Sequence, residues 1–109
     1  MTQNLHETNP GIYLIVSFDW PKTFTQEQAE NARKLHDLTQ ESDWIQETVA
    51  ASGGVGGSQG SIWIFWLSNY AALDRLLKYR SDEICNTYDS FFKEMENVSE
   101  YIREKVLFI

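Results

Sequence analysis

Cysteine is almost absent from this chain. One thiol, Cys85, among 109 residues excludes an internal disulfide and any metal site built from several cysteines. Histidine is scarce too, with only His6 and His36. No His, Asp or Glu group has metal-ligand spacing on one helix face, so neither a metal nor a cofactor is expected. Basic residues are few, nine Lys and Arg against sixteen Asp and Glu, for a net charge of −7. They are scattered and form no basic stripe, which argues against nucleic acid and anionic membrane surfaces as partners. No apolar run approaches the roughly 18 residues of a membrane-spanning helix. No basic start followed by an apolar stretch suggests a secretory signal. The expected setting is reducing and cytoplasmic. There the glycosylation pattern Asn97-Val98-Ser99 is a chance match.

Hydrophobic residues make up 42% and aromatics 14%, including four Trp. This is the composition of a single domain with a substantial core. The most telling stretch is Ser61-Ile62-Trp63-Ile64-Phe65-Trp66-Leu67. It is apolar at nearly every position and rich in aromatic and β-branched types, as in a strand buried on both faces. Residues 1–10 are polar and aperiodic and are expected to be a loose tail, or an arm that docks in a dimer. Residues 11–109 form the domain.

Gly11–Trp20 reads as the first strand, with Ile12, Leu14, Val16, Phe18 and Trp20 on one face and Tyr13, Ile15, Ser17 and Asp19 on the other. Pro21 ends it, lacking a ladder donor. Thr25 followed by Gln28 is a capping-box pattern. It opens a helix to about Gln40 whose apolar face is Ala29, Ala32, Leu35, His36 and Leu38. Trp44–Ala51 reads as a more exposed edge strand, with continued helix as the rival. A glycine-rich run, 53–60, leads into the strand 61–67. A helix follows from Ser68 or Asn69, its face set by Tyr70, Leu73, Leu76 and Leu77. Ser81-Asp82-Glu83 starts a second piece, with Ile84, Tyr88, Phe91, Phe92 and Met95 on one face. Asn97–Ser99 breaks the pattern, and Glu100–Ile109 reads as a charged last strand of edge type.

This order is a ferredoxin-like βαββαβ unit of the α+β class, a four-stranded antiparallel sheet with the second helix in two pieces. The first and third strands are the apolar ones and are expected at the centre, parallel to each other. The charged second and fourth strands are expected at the edges. Helices cover only one face of such a sheet. In the strand 61–67, Ile62, Ile64 and Trp66 alternate with Trp63, Phe65 and Leu67, so whichever set meets the helices leaves a large apolar set outside. Monomeric proteins seldom expose such a patch. Each buried side chain of this kind is worth roughly 1.5–3 kcal/mol. A homodimer through sheet faces is the simplest cover. Trp63 and Trp66, three apart on a strand, are expected on opposite faces, one in the core and one at the interface.

The element order, the strands Ile12–Phe18 and Ile62–Leu67, and the closing strand Tyr101–Phe108 resemble the dimeric α/β-barrel superfamily. In that superfamily two ferredoxin-like sheets pack face to face. The resemblance spans residues 11–109 and is one of pattern, with no signature motif. It implies a homodimer and leaves function open, since the superfamily holds cofactor-free monooxygenases, haem-degrading enzymes, isomerases and stress-responsive proteins.

The candidate sites are few. The glycine run fails as a phosphate cradle, because it lacks a following Gly-Lys-Ser/Thr and precedes a strand where such motifs open a helix. It reads as a hairpin connection. His36 reads first as a structural histidine with one hydrogen bond, and second as a general base or haem ligand. Asp19 is either a buried carboxylate with a raised pKa or a turn-forming residue beside Pro21. Trp63, Trp66 and Tyr88, with Trp44, either line an aromatic pocket for a small ligand or pack the core and interface. Cys85 has Asp82 and Glu83 nearby, which disfavour the thiolate. Two functions follow: a homodimeric protein binding a small aromatic or apolar ligand between sheet and helices, or a small-molecule enzyme of the barrel monooxygenase or isomerase type.

Overall fold

The computed structural model describes residues 9–57 and 59–107, so most of the expected tail lies outside the described residues. The elements are β1 (Ile12–Asp19), α1 (Gln26–Glu41), β2 (Ile45–Ser52), β3 (Ser61–Leu67), α2 (Tyr70–Lys78), α3 (Glu83–Phe92) and β4 (Glu96–Glu104). The four strands form one sheet in the order β2-β3-β1-β4. This is the ferredoxin-like arrangement, with the apolar strands central and the charged strands at the edges. The central pair differs from expectation in direction. β1 runs antiparallel to β3, with Ile12 opposite Leu67 and Phe18 opposite Ser61. The reason is topological. A helical crossover returns β2 parallel to β1, and the hairpin then reverses the chain into β3.

Strand alternation sorts the sheet into two faces. Ile12, Leu14, Val16 and Phe18 are buried against the helices, and so are Trp63, Phe65 and Leu67. They meet Phe91, Phe92 and Tyr88 of α3 in a continuous aromatic cluster. The Phe18 ring lies edge-on to Phe91 and Phe92 at 5.8 and 5.3 Å, and Phe65 lies 5.6 Å from Tyr88. Edge-to-face geometry at these separations adds to the gain from burial alone. The opposite, open face carries Tyr13, Ile15, Ile62, Ile64, Trp66, Val49 and Tyr101, as the strand register requires. Trp63 and Trp66 are accordingly on opposite faces.

The helices start where local chemistry dictates. Thr25 and Gln28 form the reciprocal capping box, Thr25 Oγ1 accepting from the Gln28 N–H and Gln28 Oε1 accepting from the Thr25 N–H. Asn69 caps α2 by accepting from the Ala72 N–H at 2.9 Å. Asp82, not Ser81, caps α3, accepting from the Ile84 N–H at 2.9 Å. The buried face of α1 is Leu35 and Thr39, with Ala32 and Leu38 partly buried. Ala29 is exposed, and His36 is turned to the flank. The narrow face is rotated because Thr39 satisfies its own hydroxyl on the His36 carbonyl at 2.9 Å and so tolerates burial.

The last strand begins at Glu96 and ends at Glu104, earlier at both ends than the pattern suggests. A bulge between Ser17 and Asp19 of β1 accommodates an extra residue of β4, and Asn97 adopts φ 55 there. The apparent break at Asn97–Ser99 is therefore a bulge inside the strand. Beyond Glu104, Lys105 still donates its backbone N–H to the Gly11 carbonyl at 3.0 Å, Val106 and Leu107 follow outside the strand, and Phe108 lies outside the described residues.

Gly11 secures the start of β1. Its φ is 152, and a Cβ there would sit 2.5 Å from both the Leu67 carbonyl oxygen and Trp66 Nε1. Gly11→Ala is expected to destabilise the fold by about 1–3 kcal/mol through forced overpacking. Gly53→Ala, where φ is 80 but a Cβ would meet nothing, should cost less, about 1 kcal/mol. Chemical denaturation of the two variants checks the order.

Candidate functional site

Four clefts open on the described surface. One, of about 340 Å³, lies between α1 and α3 and is lined by polar side chains, among them Lys34 and Glu83, which pair with each other at 3.3 Å. A second, also about 340 Å³, lies under the glycine loop beside Ser17 and Ile62. A third, about 240 Å³, lies at the sheet end between Trp20 and Trp63. A fourth, about 460 Å³ and the largest of these, lies between α3 and β4 on the helix side of the sheet. Tyr88, Phe92 and Met95, all buried, form its floor, and Asp89, Lys93, Val98 and Glu100 are exposed around it.

The chemistry of this last cleft comes from two residues on different elements. α3 packs its Phe91 and Phe92 into the sheet, and that rotation sets Tyr88 beside Phe65 and Phe92, only 6% exposed. Glu100 stands opposite Val16 in the β1–β4 register. Val16 points to the helices, so Glu100 does too. The Tyr88 hydroxyl donates to Glu100 Oε2 in a short hydrogen bond. Burial raises the Tyr88 pKa well above that of an ordinary phenol. The bond to Glu100 and the charges of Glu100 and Asp89 push it further the same way. Tyr88 is thus a neutral phenol whose proton is directed at a carboxylate, above apolar walls.

The other sequence candidates lie elsewhere. Trp63 is 6% exposed and packs on Phe91 and Phe92 in the core, reaching only the cleft at the sheet end. Trp66 is on the open face, 2% exposed beneath Tyr13 and the Lys105 amino group, which lies 5.3 Å from its ring. Tyr88, Trp63 and Trp66 therefore do not line one pocket. Trp44 is covered by the Arg75 guanidinium at 4.4 Å. His36 is 41% exposed, with Nδ1 3.4 Å from Asp37 and Nε2 3.2 Å from Gln40, and it lines none of these clefts.

Asp19 accepts from the Gly60 N–H at 2.8 Å and from Asn97 Nδ2 at 2.9 Å. It thereby ties the end of β1 to the glycine loop and to the β4 bulge. Those two donors, Asn97 first, hold its pKa below the usual carboxylate value, opposite to a proton-holding base. Cys85 is buried, and burial pushes its thiol up. Among the described residues no three His, Cys, Asp or Glu side chains gather to hold a metal ion. No helix among them is long and apolar enough to cross a membrane.

The glycine run is a hairpin connection. Gly53 donates to the Gly60 carbonyl at 2.8 Å, and Gly53, Gly54, Gly56 and Gly57 all have positive φ. Glu100 is the candidate-site residue that sequence reasoning missed. Its signal was period two from Ile102 back through Glu100 to Val98, hidden by the reading of Asn97–Ser99 as a strand break.

No family model matches the chain, and no curated protein matches it. Solved structures do. A dimeric ferredoxin-like protein of unknown function from Thermobifida fusca superposes with TM-score 0.64 at 15% identity, covering 98% of this chain and 100% of that one. The hydroxynitrile lyase of Passiflora edulis superposes with TM-score 0.71 at 11% identity, covering 90% and 95%. A DABB family protein with a ferredoxin-like fold from Mesorhizobium loti does so with TM-score 0.63 at 11% identity, covering 86% and 95%. At these identities the likeness establishes the ferredoxin-like fold of the chain.

The Asp19 carboxylate makes a testable contribution. Its pKa is lower in the folded chain than the ordinary 3.8, so its stabilisation is present above 3.8 and is lost as pH falls through the lower folded value. Melting temperatures of the wild type and Asp19→Asn, measured from pH 7 downwards, should differ most at neutral pH and converge in acid.

Proposed function

We propose that this chain is a homodimer through its open sheet face and that each protomer binds a small aromatic or apolar molecule in the cleft between α3 and β4. The observation that carries the ligand reading is the buried Tyr88 hydroxyl bonded to Glu100 in a cleft of about 460 Å³ to which Phe92, Met95 and Val98 give an apolar part. Ligand sites are typically of this kind, a few convergent polar groups set in apolar walls. The dimer reading rests on the open face. Val49 at 43%, Ile62 at 36% and Tyr101 at 46% exposure form an apolar surface around Ile15 and Ile64. A second copy related by a two-fold axis covers such a patch self-consistently, and one similar structure is itself a dimeric ferredoxin-like protein. A reducing, cytoplasmic setting suits the single buried thiol.

A catalytic reading draws on the same two side chains. A carboxylate held in place by a phenol is a general base, able to take a proton from a bound molecule. One similar structure is a hydroxynitrile lyase. On this reading the cleft would hold a substrate, Glu100 would take its proton, and Tyr88 would orient the carboxylate.

Binding is tested by adding small aromatic molecules to isotope-labelled protein. Amide and methyl resonances of Tyr88, Met95, Val98 and Glu100 should shift together, while those around His36 stay still. Val98→Arg, which lays a long side chain across the cleft from an exposed position, should abolish the shifts; shifts confined to other clefts would refute the assignment. Turnover would appear in the same samples as loss of the ligand's own resonances, absent in Tyr88→Phe. For the dimer, sedimentation at micromolar concentration should give twice the 12.7 kDa chain mass. Ile62→Lys, which puts a charge on the open face, should give a folded monomer. A wild-type chain sedimenting as a monomer would sink the dimer reading.

A further inference from the structure

The α3–β4 cleft offers hydrogen-bond acceptors on both members of its Tyr88–Glu100 pair. Tyr88 has one hydroxyl proton, and it is committed to Glu100 Oε2. What remains on the Tyr88 oxygen is lone-pair density. Glu100 accepts that bond through Oε2, and among the described residues its Oε1 has no hydrogen-bond partner. A carboxylate brings no proton of its own. Around the pair stand Phe92, Met95 and Val98, which offer no hydrogen-bond donor from their side chains. Asp89 at the rim adds a second negative charge and is already paired with Arg80 at 3.3 Å. Lys93 is the single cation of the lining, and it stands exposed at the rim. The side of the cleft formed by Tyr88 and Glu100 is therefore acceptor-rich and negative, and Phe92, Met95 and Val98 supply its apolar part.

Resting on the ligand-binding reading above, we infer that the cleft selects apolar molecules carrying a hydrogen-bond-donating head, a hydroxyl or a protonated amine, and rejects carboxylates of the same shape. Such a head reaches Glu100 Oε1 and gives the carboxylate its second hydrogen bond. Tyr88 acts as a positioning residue: its bond to Oε2 fixes the rotation of the carboxylate and turns Oε1 to the ligand. A carboxylate ligand would meet Glu100 as a like charge with no proton between them, which is unfavourable at close range. A plain hydrocarbon would fill the apolar walls and leave Oε1 to water alone.

Four probes with one ring and different heads test this: benzyl alcohol, benzylamine, toluene and benzoate, titrated into the labelled full-length protein and followed at Val98, Met95 and Glu100. Benzyl alcohol and benzylamine should bind about tenfold tighter than toluene, the difference a hydrogen bond to a charged acceptor supplies. Benzoate should be the weakest. The better of the alcohol and the amine identifies the head. In Glu100→Gln, whose amide supplies a donor, the preference over benzoate should collapse while toluene binding stays unchanged. Tyr88→Phe should narrow the preference with the cleft still filled by toluene. Benzoate or toluene binding as tightly as benzyl alcohol in the wild type overturns the selectivity and leaves the ligand reading standing. No cleft shifts with any of the four overturns both.

Discussion

A strand has two faces, and the central strands of this sheet are apolar on both. β1 and β3 lie side by side, antiparallel, and place Leu14, Val16, Phe18, Trp63 and Phe65 in the core. The same strands place Tyr13, Ile15, Ile62 and Ile64 on the other side. Three helices cover one face of the sheet, and their placement follows from what the core face demands. α3 supplies Phe91, Phe92 and Tyr88 to the rings of Phe18, Trp63 and Phe65. Much of the rest is positioned around that aromatic contact.

The cleft is a by-product of the same packing. The helices lean on one another and on β2 and β3. β4 lies at the edge beyond them, with Val98 38% and Ile102 40% exposed. Between the last turns of α3 and this uncovered strand a hollow remains. Tyr88 is driven into it by its aromatic neighbours, and Glu100 reaches it by strand alternation. A polar pair thus arises where the apolar layer runs out, a common setting for a site. At the start of β4, next to the cleft, Asp19 gathers Gly60 and Asn97 and holds three separate segments in register.

Much of the fold was legible in the sequence because its signals are local. The capping box at Thr25 and Gln28, the N-cap at Asn69, and the alternation of Ile12 to Phe18 each depend on residues within a few positions. The ranking of strands by apolarity placed β1 and β3 at the centre. The relative direction of the central strands was not local, and neither was the extent of β4. A single αL residue, Asn97, lets a strand continue where the pattern seems to stop, and it is stabilised by a carboxylate 78 positions away. His36 looked like part of a buried helix face, yet a modest rotation of α1 toward Thr39 left it 41% exposed.

By itself the sequence determined the class of fold, the two-faced apolar centre and the separation of Trp63 from Trp66, since strand period two permits no other outcome. It singled out Tyr88 as an aromatic of the cleft side but gave no indication of its partner. Only the tertiary structure decided that Tyr88 meets Glu100, that Asp19 is a structural carboxylate, and that Trp66 faces away from the helices. The physical reason is that a hydrogen bond between a helix and an edge strand depends on how far the helix rotates in packing. That rotation is set by the whole aromatic core and by no short stretch of chain.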